Sequence, residues 1–399
     1  MKRLSGGIDV GSESHHVVVL DEGGCCLHDG KVAARMSAFY EAILALKAIE
    51  EREGCPVFFA IEGKNGYGAP FDRLLREAGF CLFNMDNLKL RRFRDVFGAD
   101  WRDDRRDAMM LARLMRLKES MEPDEEKVFV PVREVPVAHE KLRLLSRHQQ
   151  TLIAEKVRLE NRLTKKLLEM GPDLLDAGDG QGLLRFLVAY PDVSAYNALQ
   201  EADLLRIRGI GKTRSPKFLC VLKTLSGVNA LSDVYAVMFS SYAKRLLELK
   251  EEIKACDKQM EQFGKQSREV KLLRSIPGVA TKLASRFVGE IGDGKRFANE
   301  AELAVYGGVA CLDDHSGKRV RTKTVHKANK RCKRTLLEMA GCTIRYVPES
   351  KAYYAKKRAE GKEHNHALRC LARQLIKVIF KMFTEDREYV IKDVQKKAA

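Results

Sequence analysis

The sequence predicts an α/β fold at the N-terminal end, followed by long helices and a mainly α-helical C-terminal part. Three observations carry this. Short β-prone segments crowd the first 28 residues, helical and strand periods then alternate to about residue 83, and two later stretches carry heptad-like apolar spacing.

Gly7-Ile8-Asp9-Val10 is short and β-prone. His16 to Leu20 reads as a second strand, Asp21 to Gly24 as a turn, and Cys25 to His28 as a third strand, which makes an antiparallel meander. Phe39 to Ile49 places apolar residues at helical spacing, and Glu50 to Gly54 ends that helix. Pro56 to Ile61 is a continuous apolar run that suits a strand buried on both faces, with Glu62 at its C-terminal end. A helix from Pro70 to Ala78 and a strand from Phe80 to Phe83 follow. Three antiparallel strands and then alternating helices and strands is the order of the ribonuclease-H-like fold.

In that order the strands of Asp9 and Glu62 are neighbours, so the two carboxylates are expected to converge. Arg102 to Met115 reads as a helix, and Asp104 and Asp107, three apart, share one of its faces. Asp103 points about 100° away from Asp104 and is the poorer candidate. Four carboxylates in one place suit phosphodiester cleavage. Two divalent ions roughly 3.5–4 Å apart stabilise both the attacking and the leaving oxygen. Magnesium (or manganese) prefers such hard oxygen ligands.

Composition narrows the partners. Lysine and arginine number 72 against 55 acids, a net charge of +17, which points first to nucleic acid. The ten cysteines are scattered, with no C-x2-C pair, so neither a zinc knuckle nor a disulfide scaffold is expected. No apolar run is long enough to span a membrane, and no secretion signal is apparent. A cytoplasmic protein is expected.

Two long helices are expected in the middle. Leu145, Leu152 and Leu159 are spaced by heptads, as are Leu163 and Met170, although Gln149, Lys156 and Lys166 interrupt the stripe. Leu246, Leu249, Ile253, Cys256, Met260 and Phe263 follow the spacing of a coiled-coil seam. Between them, Gly171 to Ala236 forms an insert. It contains Arg208-Gly-Ile-Gly-Lys212, and a similar segment recurs as Ile276-Pro-Gly-Val-Ala-Thr-Lys282. Both resemble helix-hairpin-helix elements, in which amides at a helix start grip a phosphate. The second copy is expected to make the phosphate contact.

Near the C-terminus, Ser316-Gly317 heads a run of Lys318, Arg319, Arg321, Lys323, Lys327, Lys330, Arg331, Lys333 and Arg334, with no acid before Glu338. Such a run is the footprint of a phosphate backbone. A serine hydroxyl needs a base, a metal or a cationic site to become a nucleophile, and on the residues alone Ser316 reads as a loop serine. His315 is adjacent, and reads as a bystander.

Several of these stretches carry a resemblance. Gly-Ile-Asp9-Val, then Ala-Ile-Glu62-Gly-Lys-Asn-Gly-Tyr67-Gly, then Asp104-Arg-Arg-Asp107-Ala, are similar to the DEDD-type insertion-sequence transposases of the IS-one-ten family. Ser316-Gly317 and Asn329 to Arg334 resemble the family's C-terminal serine and basic elements, with Ala328 where relatives carry glycine. Gly11-Ser12 and Arg102-Asp103 stand where relatives carry Ser-Lys and Lys-Thr. The resemblance implies a RuvC-like catalytic domain over 1–125 whose Asp9, Glu62, Asp104 and Asp107 hold Mg2+ or Mn2+. It further implies a dimerising coiled-coil region over 136–270 with the insert at about 171–236. A C-terminal transposase domain over 271–385, with Ser316 as nucleophile, and a basic tail over 386–399 complete the division. The implied activity is cutting and rejoining DNA at element ends and target. The implied partners are a structured guide RNA and further copies of the chain, as a dimer or tetramer, in a bacterial or archaeal cytoplasm near the nucleoid. The rival readings are a RuvC-like Holliday-junction resolvase or DNA invertase, which uses water in place of Ser316, and a nucleic-acid-binding protein without catalysis.

Overall fold

The computed structural model describes residues 3–62, 66–85, 90, 93, 103–118, 128–171, 173–177, 180–225, 231–316, 319–324 and 328–391, with backbone alone at 176–177, 311–316 and 319–324. The chain forms two compact units, residues 1–134 and 135–399.

The first unit is built on a six-stranded mixed sheet of order β3-β2-β1-β4-β5-β6. Its strands are β1 (Leu4–Val10), β2 (Ser14–Leu20), β3 (Cys26–Ala33), β4 (Val57–Glu62), β5 (Cys81–Met85) and β6 (Phe129–Pro131). The expected meander is present: β1, β2 and β3 pair antiparallel, while β4 and β5 run parallel to β1. The short β6 lies beyond the expected domain end at residue 125 and closes the sheet antiparallel to β5.

Burial explains the order. Val17 to Leu20 and Phe59 to Ile61 are at most 1% exposed, so β2 and β4 are covered on both faces. The edge strand β3 runs five residues past the expected end at His28, and its charged Asp29 and Lys31 keep that edge from pairing further. Helices α1 (Met36–Glu53) and α2 (Ala69–Glu77) cover one face, against Ile8, Val17, Val19, Phe59 and Ile61. Gly54, with φ of 66°, closes α1 by donating its N–H to the Glu50 carbonyl. Helix α3 (Asp104–Leu117) covers the other face, against Val18, Leu20 and Ala60.

The second unit is helical, with one hairpin. The long helices α4 (Val137–Met170) and α9 (Ser232–Gly264) pack antiparallel within the chain, as Gln149–Asp257 and Glu155–Arg245 pairs show. The α9 seam is filled by the same chain: Leu249 and Cys256 bury against Leu152, and Leu246 against the Leu163 end of α4. Gln149, a polar interruption of the heptads, is fully buried and satisfied by Asp257 and by the Arg286 guanidinium at 2.7 and 3.0 Å.

The insert adds α5 (Leu174–Ala177), α6 (Gly180–Ala189), α7 (Glu201–Leu205) and α8 (Ser215–Leu225), closed around Phe186, Tyr196, Phe218 and Leu222. The C-terminal core joins α10 (Arg268–Arg274), α11 (Thr281–Ile291), α12 (Glu300–Tyr306), α13 (Lys330–Tyr346) and α15 (His364–Thr384). Between α13 and α15, helix α14 (Pro348–Ala359) buries no residue. The antiparallel hairpin β7 (Cys311–Ser316) and β8 (Arg319–Thr324) precedes α13.

Candidate active-site regions

In the first unit the sheet register brings the predicted acids to one edge. β1 and β4 run parallel with Ile8 opposite Ile61, so the next step sets Asp9 beside Glu62. Both face α3. Gly7, two residues before Asp9, lies directly under that helix, and Ala60, two before Glu62, packs against Leu111 and Met115. On α3, Ala108 and Leu111 are fully buried against the sheet, and Asp104 and Asp107 lie one turn earlier on the same stripe. The helix runs antiparallel to β1. Its Arg116 donates to the Glu22 carbonyl at 3.2 Å, beyond the N-terminal end of β1, and its Ala108 and Ala112 backbone lies against Gly7 at mid-strand, so Asp104, one turn earlier in the helix, is carried toward the other end. The first turn of α3 thus stands over the C-terminal end of β1, where Asp9 and Glu62 are half-buried.

Asp103 has a different task. It precedes α3 as its N-cap, accepting from the Arg105 amide at 3.3 Å, and it is not part of the helix as the sequence suggested. Among the described residues no three His, Cys, Asp or Glu side chains close on one point. The donor set still suits magnesium, which commonly takes one or two protein carboxylates and keeps several waters. Asp9 and Glu62 supply one such pair, and Asp104 and Asp107 a second.

Three contributors escaped the sequence reading. His16 lies opposite Asp9 in the β1–β2 register, and its Nε2 meets Asp29 Oδ1 at 2.7 Å. Arg105, between the two helix acids, donates Nε to Asp29 Oδ2 at 2.5 Å. The His16 bond, then the Arg105 bond and charge, hold the Asp29 carboxyl below the usual carboxylate range. Gly7 is the third. A Cβ there would overlap the Ala108 carbonyl and the Ala112 amide, so only glycine lets α3 lie this close. A glycine inside a strand is the available signal for such an approach.

In the second unit Ser316 ends β7 and pairs with Arg319 of β8. The register puts Asp314, Arg321 and Lys323 on the same face of the hairpin, and alternation puts His315 on the other. Lys318, Lys327 and the tail over 392–399 lie outside the described residues. The basic run expected as one frame is split. Its first part follows strand β8, and Lys330, Arg331, Lys333 and Arg334 open α13, where Lys330, Lys333 and Arg334 border a groove of about 370 Å³ floored by Leu337 and Leu368.

The start of α13 is anchored from below. Asn329 caps it, accepting from the Arg331 and Cys332 amides at 3.0 Å each. Its Nδ2 donates to Glu290 Oε2 and to the Tyr306 hydroxyl, both at 2.7 Å. Arg147 completes a two-pronged pair with Glu290 at 2.9 and 3.0 Å. Burial pushes the Glu290 carboxyl up, but the Arg147 and Asn329 bonds outweigh it and hold the group ionised below its ordinary value.

Comparison with known proteins matches both ends of the chain. Residues 6–172 match a family model described as a transposase, of the IS110 DEDD kind, and residues 270–355 match one described as transposase of the IS116/IS110/IS902 family. The chain is 27% identical over 396 residues to the uncharacterized 44.8 kDa protein of insertion element IS116 of Streptomyces clavuligerus, with 96% of each chain covered. It is 24% identical to the uncharacterized 42 kDa protein of IS900 of Mycobacterium paratuberculosis, again with 96% of each covered. Identity to the uncharacterized 43.6 kDa protein of IS110 of Streptomyces coelicolor is 25%, covering 96% of this chain and 94% of that one.

Proposed function

Because the chain belongs to the IS116/IS110/IS902 transposase family, we propose that it cuts and rejoins insertion-sequence DNA with a metal-binding acidic tetrad and a serine nucleophile. The observation that supports the tetrad is the register: Ile8 pairs with Ile61, one residue before Asp9 and Glu62, and Asp104 and Asp107 share the first turn of α3, the helix that covers this face. The strand order on a mixed sheet supports reading the first unit as a ribonuclease-H-like, RuvC-like domain. The four carboxylates would hold Mg2+ or Mn2+, which when bound lowers the cost of charge developing at the phosphate.

Ser316 supplies the nucleophile in this reading. Its hydroxyl loses a proton as Oγ bonds to phosphorus, and the displaced sugar oxygen leaves and is protonated. Rejoining reverses the step: a sugar hydroxyl attacks the serine phosphodiester and frees Ser316. Arg319, Arg321 and Lys323 on the hairpin face, with Lys318, Lys327, Lys330, Arg331 and Arg334, hold the DNA backbone and oppose the charge of the pentavalent phosphorus. The kinship of the motifs also supports a structured guide RNA, a homo-oligomer and a cytoplasmic, nucleoid-associated setting. Among the described residues no helix is long and apolar enough to cross a membrane.

The test is strand cleavage of an element-end duplex with co-purified RNA, comparing wild type with Asp9→Asn and Ser316→Ala. The reading requires that both variants lose cleavage by several orders of magnitude. Magnesium-independent cleavage would remove the tetrad's role, and cleavage surviving Ser316→Ala would favour a water-using resolvase.

A further inference from the structure

Two tight turns in the second unit repeat one geometry. In the first, Ile207 donates to the Leu204 carbonyl, Ile210 to Ile207, and Arg214 and Ser215 both to Gly211. In the second, Ile276 donates to Leu273, Val279 to Ile276, and Leu283 and Ala284 both to Ala280. Gly209 and Gly278 occupy equivalent places with φ of 106° and 88°. Ile207 and Ile210, like Ile276 and Val279, are buried and fix each turn to its core.

Their surroundings differ, and in the direction opposite to the sequence expectation. The second turn is occupied by protein. A Cβ on Gly278 would run into the Tyr346 ring and approach the Cys342 carbonyl of α13, Thr281 is buried, and Lys282 is tied to Asp257 at 2.5 Å. The first turn packs Gly209 against Gly182 of α6, and its Arg208 carbonyl accepts from Arg185 at 2.7 Å, but its outer side faces solvent. Arg208, Gly209, Gly211, Lys212, Thr213 and Arg214 are all exposed, and space is free beside Gly211.

The open turn also sits in a one-sided charge distribution. From Leu204 to Ser232 the chain has no acid and six cations, Arg206, Arg208, Lys212, Arg214, Lys217 and Lys223, and every one is exposed. Of the segment's apolar side chains, Leu204, Ile207, Ile210, Phe218, Leu222 and Leu225 are buried, while Leu205 and Leu231 are exposed. Just before the segment, Asp203 pairs with Arg206 at 3.3 Å and Glu201 accepts from Ser215 Oγ at 2.7 Å, so the cationic face is carried by Arg208, Lys212 and Lys217. A solvated surface helix usually alternates signs; a local excess of positive charge of this kind is what a phosphate backbone selects.

We propose that this turn and the start of α8 form a second DNA-binding surface, separate in sequence from the basic run after Ser316, that holds double-stranded DNA by its phosphates. Duplex DNA is favoured over single strands or RNA loops because those are gripped by stacking on exposed aromatics, and the only aromatic residue of the segment, Phe218, is fully buried. The inference needs only that the chain handles DNA; it stands whether or not Ser316 is the nucleophile.

The test is fluorescence anisotropy of the full-length chain on a labelled DNA duplex of arbitrary sequence, over a salt series. The variant combines Arg208→Gln, Lys212→Gln and Lys217→Gln. A control removes equal charge from exposed positions of and just after α9 by Lys254→Gln, Lys258→Gln and Lys265→Gln. The turn variant should bind at least about tenfold more weakly, and its log–log salt slope should fall by about 2–3, near 0.9 for each phosphate no longer neutralised. The control should keep the wild-type slope. An unchanged slope in the turn variant, an equal loss in the control, or a loss seen on structured RNA but not on duplex DNA overturns the proposal. Should the triple variant lower the melting temperature, Lys212→Glu alone, at an exposed side chain, replaces it with the same direction of effect required.

Discussion

Asp29 and Arg105 lie 2.5 Å apart, joining the edge strand β3 to the first turn of α3, where Asp104 and Asp107 flank that arginine at one and two residues' remove. Through its other oxygen Asp29 also takes His16, which stands opposite Asp9. One carboxylate thus ties the helix acids to the strand acid. Asp29→Asn should raise the magnesium concentration for half-maximal cleavage several-fold, with Asp29→Glu recovering part of the shift. A lower melting temperature with an unchanged magnesium response would show that Asp29 supports the fold alone. As its carboxyl is held below the ordinary range, this tie is present at neutral pH and lost as acid protonates Asp29.

Gly7→Ala tests the close approach of α3. The added methyl meets helix backbone, which cannot rotate aside, so α3 has to lift from β1. Overpacking of this kind costs about 1–3 kcal/mol. The melting temperature should fall and metal-dependent cleavage with it, whereas Gly23→Ala, in the exposed β2–β3 turn, should leave both near wild type.

Asn329 offers a sharper contrast. Asn329→Ala removes the α13 cap, worth about 1 kcal/mol, and one donor to a buried carboxylate, worth about 1–3 kcal/mol. Asn329→Asp keeps the cap but sets a second carboxylate against Glu290, 2.7 Å away in the native pair. Thermal unfolding should therefore find Asn329→Asp less stable than wild type despite an intact cap. Equal stability would mean that the Glu290 contact contributes nothing.

The start of α4 carries a pH-dependent tie to α10. His139 Nε2 meets Glu269 Oε2 at 2.8 Å, and Ser267 Oγ donates to the same oxygen at 2.7 Å. Burial pushes the Glu269 carboxyl up, but His139 and Ser267 prevail and bring it from its ordinary 4.5 to about 2. A depressed carboxylate stabilises the fold above its unfolded pKa, and that contribution fades as pH falls from about 4.5 toward about 2. Glu269→Gln should flatten this acid limb in a melting-temperature profile.

Much of the first unit was legible in the residues. The apolar run ending at Glu62 and the meander around Asp9 have strand periods that tertiary packing did not override. Less visible was whatever depends on partners distant in sequence. β3 runs past His28 because an edge strand needs apolar residues on only one face, so its signal is thin. The α9 seam announced a helical partner but not that α4 of the same chain would fill it. The β7–β8 hairpin has its signal in the second strand, where Val320, Thr322 and Thr324 alternate with Arg319, Arg321 and Lys323, β-branched against cationic. The density of charge there masks that period. Gln149 looked like a flaw in a heptad, and its buried role depends on Asp257 and Arg286, which periodicity does not register.

The central claim is that Ser316 becomes covalently joined to DNA with the help of the acidic tetrad. The most direct measurement is mass mapping of the peptide that carries nucleotide after wild-type protein, magnesium and element-end DNA are combined and quenched in denaturant. The account predicts an adduct on the peptide containing Ser316, absent without magnesium, in Asp9→Asn and in Ser316→Ala. Cleaved DNA with no adduct, or an adduct on another residue, would contradict it.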